Sequence, residues 1–440
     1  MSRLKRLATL GGLTSKVTTS YLGARVRDAF LDDERRKKAL DRLHLQNAEQ
    51  ITATLSQMKG AAMKLGQQLA AAAGSLDLPP EVANALGKLH KDAEPVPFEH
   101  VREDVEASIE APLDQAFASF DPTPIGTASL GQAHRARLPD GTPVVVKVLH
   151  RGVANAVDTD LLALKAVLVG SRALRRSRDE VDAAFEEIRE RLSEELDYLQ
   201  EAVNLQQFAD ALGDDPRVRI PRLHHALCTD RVLVMDELPG RHLDAFLVDA
   251  TEQARQAAGN TLADLYYRQV FRLRMLHADP HPGNYLFEDD GRVGLVDFGC
   301  VKRFDLYWAA TYARAALAAM AGDREGLLAG CFDLGAWNGT DEGDADLLWA
   351  FADQMCAAFR AGPITLGPGH EQLMEDLRPI LKGFVSRPTV RIPRHVLFTH
   401  RSLGGLYTIH RRLGTHADFG HFLVEHARYA VAAASDGTAA

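Results

Sequence analysis

Two carboxylates and one carboxamide lie on turn-rich segments in the second half of the chain. Asp279 and Asn284 are five residues apart in the segment His-Ala-Asp-Pro-His-Pro-Gly-Asn, whose two prolines exclude a regular helix. Two short apolar runs follow, and the turn between them predicts a β-hairpin that ends just before Asp297. The hairpin would bring the three side chains together, and their oxygen atoms are ligands that Mg²⁺ prefers.

Protein kinases use side chains of these types at this spacing. A catalytic-loop aspartate is followed five residues later by a metal-binding asparagine, and an Asp-Phe-Gly segment supplies a second metal ligand. The chain has Asp279, Asn284 and Asp297 at these places. The spacing therefore predicts Asp279 as a catalytic residue and Asn284 and Asp297 as metal ligands. The alternative is a solvated loop followed by an ordinary hairpin.

A lysine interrupts a run of valines in the first half of the chain. Lys147 lies within residues 143–149, which the apolar run predicts to be a buried strand. Lysine is rarely buried without a partner, and the third strand of a kinase carries a lysine that holds the nucleotide phosphates. We therefore predict Lys147 to be catalytic and nucleotide-binding. The alternative is an edge-strand lysine that reaches into solvent.

An acidic stretch downstream offers this lysine a partner. Residues 179–212 predict one long helix, on which Glu194, Asp197 and Glu201 share a face because they are three and four residues apart. Most of its acidic side chains are expected on a solvated face. We expect Glu201 to pair with Lys147.

Composition limits the class of protein. The chain has 440 residues, 46% of them apolar and 25% charged, which is typical of a soluble protein of two or three domains. A net charge of −9 gives no sign of nucleic-acid binding. The four cysteines are scattered, which indicates a reducing compartment without disulfides or a zinc site. No apolar run is long enough to predict a transmembrane helix.

The N-terminus is basic and weakly amphipathic. Only basic charges precede Asp28, and leucines recur every three residues from Leu4 to Leu13. This pattern is consistent with peripheral contact to an anionic membrane surface and equally with a solvated tail. We expect a cytoplasmic protein, with peripheral membrane contact as an open alternative.

Two further segments carry residues that need an explanation. Residues 47–73 predict a helix that contains Lys64-Leu65-Gly66-Gln67, where the glycine indicates close approach of another backbone. Residues 235–240, beginning at Met235 and including Glu237, are interpreted as the hinge between two lobes.

Together these residues resemble the UbiB/AarF family of atypical kinases, known in mitochondria as coenzyme Q-associated kinases. Four segments resemble family motifs: Lys64 to Gln67 (Lys-x-Gly-Gln), Ala128 to Gln132 (the alanine-rich loop), Glu195 to Asp197 (Glu-x-Asp) and His277 to Asn284 (the catalytic loop). Glu201 matches the glutamate that pairs with the strand lysine. The segment that resembles the alanine-rich loop departs from the family pattern, because Gly126-Thr127 stands where alanines are usual.

The resemblance implies an α+β, bilobal protein-kinase-like fold with a small β-rich N-lobe and a larger, mostly α C-lobe. It implies four segments: a basic N-terminal segment (1–45), a helical extension over the active site (46–98), the N-lobe (99–236) and the C-lobe (237–440). The implied nucleotide-binding residues, besides Lys147, are Ala128, Ser129, Leu130, Gly131, Gln132, Met235 and Glu237. The implied regulatory residues are Lys64, Gly66, Gln67, Glu195 and Asp197.

The expected function is a Mg²⁺-dependent ATPase or phosphotransferase linked to isoprenoid quinone (ubiquinone) or lipid metabolism at a membrane surface. Its expected partners are ATP or ADP, a lipid or quinone precursor, and lipid-biosynthesis enzymes, but no nucleic acid. Two alternatives remain open. One is a small-molecule phosphotransferase of the aminoglycoside/choline kinase type, and the other is a nucleotide-gated scaffold without catalysis.

Overall fold

A computed structural model describes most of the chain. The described residues are 3–28, 32–58, 61–71, 78, 80–87, 95–127, 130–170, 178–367, 372–387, 390 and 392–435. The chain divides into two compact units, the first formed by residues 1–202 and 223–237 and the second by residues 203–222 and 238–440. The four-segment division given above stays a prediction.

The first unit combines helices with one antiparallel sheet. Its helices are α1 (Arg3–Asp28), α2 (Asp33–Met58), α3 (Ala61–Ala71), α4 (Pro80–Gly87), α5 (Phe98–Ile109), α6 (Leu113–Ala116), α7 (Val153–Gly170), α8 (Arg178–Glu195) and the first turn of α9 (Tyr198–Leu212). Its strands are β1 (Ser119–Thr127), β2 (Gly131–Arg137), β3 (Pro143–Leu149) and β5 (Val232–Asp236). They form a sheet in the order β1-β2-β3-β5.

The valine run of β3 builds the core of this unit. Val144, Val146 and Val148 are buried in a cluster with residues of α5, α6 and β5. Because side chains alternate along a strand, Lys147 points to the opposite face. β3 pairs with both β2 and β5, so it is an inner strand. The edge-strand interpretation of Lys147 is therefore wrong.

The single helix predicted over residues 179–212 is also wrong. The structure has two helices there, and Leu196 and Asp197 lie between the end of α8 and the start of α9. The side chain of Asp197 accepts a hydrogen bond from the backbone N–H of Gln200 at 2.9 Å, as the side chain of an N-cap residue does. Glu194, Asp197 and Glu201 therefore do not share the face of one helix as predicted, because helical periodicity could not exclude a cap within the run.

The second unit is mostly helical. Its helices are the rest of α9, α10 (Leu243–Phe246), α11 (Glu252–Arg268), α12 (Leu306–Ala321), α13 (Arg324–Asp333), α14 (Glu342–Arg360), α15 (Gln372–Ser386), α16 (Arg394–Leu413) and α17 (Phe419–Ser435). Its strands are short: β4 (Val218–Arg219), β6 (Met275–His277), β7 (Tyr285–Phe287), β8 (Val293–Leu295), β9 (Val301–Arg303), β10 (Ile364–Thr365) and β11 (His416–Ala417).

The described basic residues that precede Asp28 lie in helix α1. This helix packs against α2 and α7, and Leu13 and Val17 are buried in that packing. Leu13, the last leucine of the predicted amphipathic series, therefore contacts protein and is not available to a membrane. Within the described residues, none of the helices combines the length and the apolar character needed to cross a bilayer.

Candidate active site

Two pairs of strands in the second unit fix the ends of both candidate loops. Strand β6 pairs antiparallel with β9, and β7 pairs antiparallel with β8. The loop that carries Asp279 and Asn284 runs from β6 to β7, and the loop that carries Asp297 runs from β8 to β9. Each loop therefore starts at one strand pair and ends at the other. This topology places the two loops side by side.

Hydrogen bonds extend both strand pairs into the loops. The backbone N–H of Val296 donates to the carbonyl oxygen of Asn284 at 3.1 Å, and the N–H of Ala278 donates to the carbonyl oxygen of Cys300 at 2.9 Å. Asn284 is thus the cross-strand neighbour of Val296, the residue just before Asp297. The structure brings Asn284 and Asp297 together through the hairpin that the sequence predicted.

Asp279 and Asn284 contact each other directly. The Asn284 amide Nδ2 donates to the Asp279 carboxylate at 2.9 Å and to its carbonyl oxygen at 3.0 Å. This leaves the amide oxygen of Asn284 as the end of the side chain that could bind a cation. The Asp297 carboxylate accepts a hydrogen bond from the N–H of Gly299 at 3.1 Å, which orients it at the start of its loop.

The donor set of these loops fits Mg²⁺. Two carboxylates and one amide oxygen are hard ligands, and Mg²⁺ commonly takes one or two carboxylates together with substrate phosphates. Among the described residues, no group of three or more His, Cys, Asp or Glu side chains could hold a metal by itself. A cation here would therefore need oxygens from a bound phosphate as well, as at nucleotide sites.

Two buried residues hold the start of the predicted catalytic loop, residues 277–284. His277 is 3% exposed, and its Nε2–H donates to the carbonyl oxygen of Asp297 at 2.6 Å. The backbone N–H of His277 donates to the side chain of Gln269 at 2.7 Å. Gln269 begins a π-helical turn, residues Gln269–Leu273, which follows α11 and ends at Arg274 with φ +54°. The histidine thus links the two loops directly.

Tyr285, the first residue of β7, is buried near Asp279. It is 3% exposed, and burial raises the pKa of its hydroxyl well above the usual range. The negative charge of nearby Asp279 raises that pKa further. Tyr285 is therefore neutral at physiological pH.

Helix α9 fixes the Asp-Phe-Gly segment. Phe298 is fully buried, and its ring centroid lies 5.2 Å from that of Phe208. Asn204 is also buried, and its amide donates to the carbonyl oxygen of Phe298 at 2.8 Å. Arg303 of β9 donates to the Asn204 side-chain oxygen at 2.8 Å. These contacts set the backbone that follows Asp297.

Helix α16 supports the catalytic loop from another side. A Cβ at Gly405 would overlap the ring of Pro280, so this position admits only glycine without movement of the loop. Arg401, one turn earlier on α16, donates to the carbonyl oxygen of Ala278 at 3.5 Å. The loop residues on both sides of Asp279 therefore contact α16.

The first unit contains a buried ion pair. The Lys147 ammonium lies 2.6 Å from a carboxylate oxygen of Glu201, and their side chains are 13% and 5% exposed. Glu201 is in the first turn of α9, whose positive end favours a carboxylate. Lys147 and Glu201 therefore form the ion pair that the sequence predicted.

The predicted nucleotide-binding segment, Ala128 to Gln132, lies only partly within the described residues. Ala128 and Ser129 lie outside the described residues. Leu130 is buried, and Gly131 and Gln132 lie in β2. A Cβ at Gly131 would lie 2.5 Å from the carbonyl oxygen of Val148, so glycine is required there.

Gln132 faces the interior of the first unit. Its side-chain oxygen accepts a hydrogen bond from the backbone N–H of Val96 at 2.8 Å, and its amide nitrogen lies 2.8 Å from Nε2 of His134. Only the backbone of Gln132 therefore remains for contact with a nucleotide.

The hinge residues have defined partners within the first unit. Met235 is a buried residue of β5. The N–H of Glu237 donates to the carbonyl oxygen of Pro143 at 3.0 Å, and its carboxylate lies 2.6 Å from Nε of Arg135. Glu237 follows β5 directly and extends its pairing with β3.

The predicted regulatory residues are partly brought together. The Lys64 ammonium lies 2.7 Å from the carboxylate of Glu195, so α3 is tied to the end of α8. Gly66 is buried in α3, and the side chain of Gln67 lies outside the described residues. Asp197 caps α9 and is exposed. Lys64 therefore pairs with Glu195.

Sequence reasoning missed Gln269, Asn204 and Gly405. The asparagine lies 94 residues before its partner Phe298, and Gln269 and Gly405 lie within helical runs that carry no motif. For Gly405, the sequence offered a signal of close packing, because a glycine inside a helix usually has a packing reason.

Comparisons with known proteins assign this chain to a family. The sequence profile of the ABC1 atypical kinase-like domain matches residues 88–330, more than half of the chain. The mitochondrial atypical kinase COQ8B of Rattus norvegicus is 28% identical over 423 residues, covering 94% of this chain and 78% of the relative. The mitochondrial atypical kinase COQ8 of Saccharomyces cerevisiae is 26% identical over 433 residues, covering 94% and 82%. The mitochondrial atypical kinase coq-8 of Caenorhabditis elegans is 26% identical, but this chain spans only 55% of it.

A solved structure supports the fold. Rv3197 from Mycobacterium tuberculosis, determined in complex with erythromycin, matches with a TM-score of 0.61 at 25% identity, covering 88% of this chain and 97% of that protein. About 64% of the present structure is helical, with a small antiparallel sheet in its N-terminal part. The α+β, protein-kinase-like fold class predicted from the sequence is therefore confirmed. The chain belongs to the ABC1 family of atypical kinase-like proteins, which is the UbiB/AarF family that its sequence motifs resemble.

Proposed function

We propose that this protein binds ATP with Mg²⁺ and hydrolyses it or transfers its γ-phosphoryl group, in support of isoprenoid quinone (ubiquinone) or lipid metabolism at a membrane surface. The observation that carries this proposal is the arrangement of Asp279, Asn284 and Asp297 on two loops that share the same pair of strand ladders. A solvated loop would not need a buried histidine that joins it to the second loop.

Each site residue has a role that follows from its chemistry. Lys147, oriented by Glu201, would hold the α- and β-phosphates of ATP. Asn284 and Asp297 would hold Mg²⁺, which supplies positive charge against the charge that develops on the transferred group. Asp279 would orient the acceptor hydroxyl or water and accept its proton. The hydrogen bond from Asn284 keeps the Asp279 carboxylate oriented for this task.

The remaining predicted residues would complete the nucleotide site and its regulation. The backbone of residues 128–132 would bind the phosphates, and Met235 and Glu237 would lie beside the base. Lys64 and Glu195 would link α3 to α8, so that movement of α3 alters the access of substrates. The quinone or lipid assignment is supported by the likeness to mitochondrial COQ8 kinases.

An ATPase assay tests this function. The purified chain would be assayed with Mg²⁺ alone, with anionic vesicles, and with vesicles plus phenols that resemble quinone precursors. We expect measurable hydrolysis that rises with vesicles or phenols. Nucleotide binding without turnover under every condition would instead support a scaffold role and overturn the proposed catalysis.

A second candidate, phosphorylation of a soluble small molecule, is favoured by one observation. The structural neighbour from Mycobacterium tuberculosis was solved with erythromycin, a hydroxyl-rich compound. Incubation with radiolabelled ATP and a panel of hydroxylated or amino compounds would distinguish the two. Rapid labelling of one soluble compound, without any effect of vesicles, would favour this candidate.

A further inference from the structure

A cavity of about 530 Å³ lies within the second unit, between the first turns of α11 and the last turn of α16. This volume is typical of sites for small ligands. None of its lining residues belongs to the loops that carry Asp279, Asn284 and Asp297. Three arginines and three other polar residues line it: Arg255, Arg411, Arg412, Glu252, Gln256 and Thr408.

The Nε–H of Arg255 lacks a hydrogen-bond partner among the residues that the structure describes. This N–H is also buried. A guanidinium cannot lose its charge, and a buried unpaired donor is costly. Arg255 is also the fourth residue of α11, after the N-cap Thr251, where the helix dipole disfavours a cation. An anion in the cavity would relieve both penalties.

The positions of Arg411 and Arg412 are explained by contacts within the protein, and both side chains add positive charge to the cavity wall. Both lie in the last turn of α16, where cations complement the helix dipole. Arg412 pairs with Asp244, and the guanidinium of Arg411 lies 5.8 Å from the ring centre of Tyr407. Asp244 offsets the charge of Arg412, and Arg255 and Arg411 still outnumber Glu252, the one carboxylate of the wall, so the cavity favours an anion.

Hydrogen bonds from Gln256 hold the two walls at a fixed distance. Its amide nitrogen donates to the carbonyl oxygen of Gly414 at 2.8 Å, and its amide oxygen accepts from the N–H of His416 at 2.7 Å. The start of α11 is therefore tied to the residues that follow α16. The cavity is built into the fold of this unit.

We infer that this cavity binds a phosphate ester that also carries hydroxyl groups. Guanidinium groups match phosphate oxygens in bidentate geometry, and Arg255 supplies such a group while Arg411 adds positive charge. The cavity is larger than one phosphate group requires. Glu252 and Thr408 offer hydrogen-bond acceptors for hydroxyl groups on the rest of the molecule. Both a soluble sugar or glycerol phosphate and a glycerophospholipid headgroup have this chemistry.

Calorimetry on the full chain with glycerol 3-phosphate tests the soluble form of the ligand. Vesicles of phosphatidylcholine with and without phosphatidylglycerol test the headgroup form. The test variant is Arg255→Gln, and the matched control is Arg428→Gln, an exposed arginine of α17. Asp297→Asn separates this cavity from the proposed nucleotide site.

We expect Arg255→Gln to weaken binding of one of the two probes about tenfold or more, because it removes a charge-assisted contact. Binding should be unchanged in Arg428→Gln and in Asp297→Asn. The probe that is affected identifies the source of the phosphate. Without ligand, Arg255→Gln should not lower the thermal midpoint, so loss of binding would not reflect loss of folding.

Two results would overturn the inference. One is equal binding of both probes by wild type and Arg255→Gln, including no binding by either. The other is binding that Asp297→Asn abolishes and Arg255→Gln does not, which would place the phosphate at the nucleotide site.

Discussion

At the scale of single residues, the charged groups of the candidate site are held by a few specific contacts. Lys147 and Glu201 form a pair that is largely removed from water, so each depends on the other for the stability of its charge. Asp279 is held differently, by an amide donor on its own loop. In the proposed function, the ordered ammonium of Lys147 would bind a phosphate. The exposed carboxylate of Asp279 would accept a proton.

Glu201→Gln tests the role of this pair. Glutamine keeps a hydrogen-bond acceptor for Lys147 but removes the negative charge. We expect the free energy of unfolding to fall by about 2 kcal/mol and ATP turnover to fall at least tenfold. Denaturant unfolding and the ATPase assay would measure these effects. The control, Glu99→Gln on an exposed position of α5, should change neither, and a similar result for both variants would remove the proposed role of Glu201.

The placement of Asp279, Asn284 and Asp297 on neighbouring loops could be predicted from sequence because these residues lie in one short segment of the chain. Asn284 and Asp297 are joined by one hairpin, and a hairpin has a fixed register once its turn is recognised. Asn204 and Arg255 could not be predicted, because their importance depends on groups brought together by tertiary packing. Their side-chain types alone are ordinary for exposed helical positions.

At the scale of elements, helix α16 is the support that the sequence did not reveal. It contacts the catalytic loop at Pro280 and Ala278, and it forms one wall of the arginine-lined cavity. The prediction of one helix over residues 179–212 was wrong because periodicity does not reveal where one helix ends and the next begins. Periodicity identifies which face of a helix is apolar, but an N-cap such as Asp197 begins a new helix without changing the periodicity.

Two adjacent glycines of α16 provide a matched test of that support. A Cβ at Gly404 would meet nothing, whereas one at Gly405 would overlap Pro280. Gly404→Ala should therefore stabilise the protein by up to about 1 kcal/mol, since alanine is the better helix former. Gly405→Ala should destabilise it by about 1–3 kcal/mol through overpacking.

Gly405→Ala should also lower ATP turnover, because the displaced Pro280 adjoins Asp279. Thermal unfolding and the ATPase assay would be measured on both variants. Equal stability and equal turnover in the two would show that α16 does not position the catalytic loop.

At the scale of the whole molecule, the chain folds into two units with different means of stabilisation. The first relies on a valine-rich sheet core. The second contains a charged network around Asp264 of α11, which is 8% exposed. The Asp264 carboxylate lies 2.7 Å from Nε2 of His426 on α17 and 2.6 Å from the guanidinium of Arg217. The network thus connects α11 to α17 and to the segment before β4.

The pKa of Asp264 gives this network a measurable pH dependence. Burial acts to raise the pKa, but hydrogen bonds from His426 and Arg217 outweigh it and hold the pKa at about 2. An unfolded aspartate has a pKa of about 3.9. Because the folded value is lower, the stabilisation is complete above about pH 4 and is lost as the pH falls toward 2.

Asp264→Asn should therefore lower the free energy of unfolding by about 2 kcal/mol near pH 7. The difference from wild type should shrink steadily below pH 4. Denaturant titrations between pH 2.5 and 7 would measure it. A difference that stayed constant down to the lowest pH would show that the charge of Asp264 is not the source of stability.

The central claim is that Asn284 and Asp297 bind the Mg²⁺ that accompanies ATP. The most direct measurement is the affinity for ATP with and without Mg²⁺ in wild type, Asp297→Asn and Asp333→Asn, the last being an exposed aspartate of α13. Asparagine at 297 keeps an acceptor for the N–H of Gly299, so the loop should persist. We predict that Mg²⁺ strengthens ATP binding in wild type and Asp333→Asn, and that Asp297→Asn loses this gain, with affinity at least about tenfold weaker. The same Mg²⁺-dependent gain in Asp297→Asn would contradict the account.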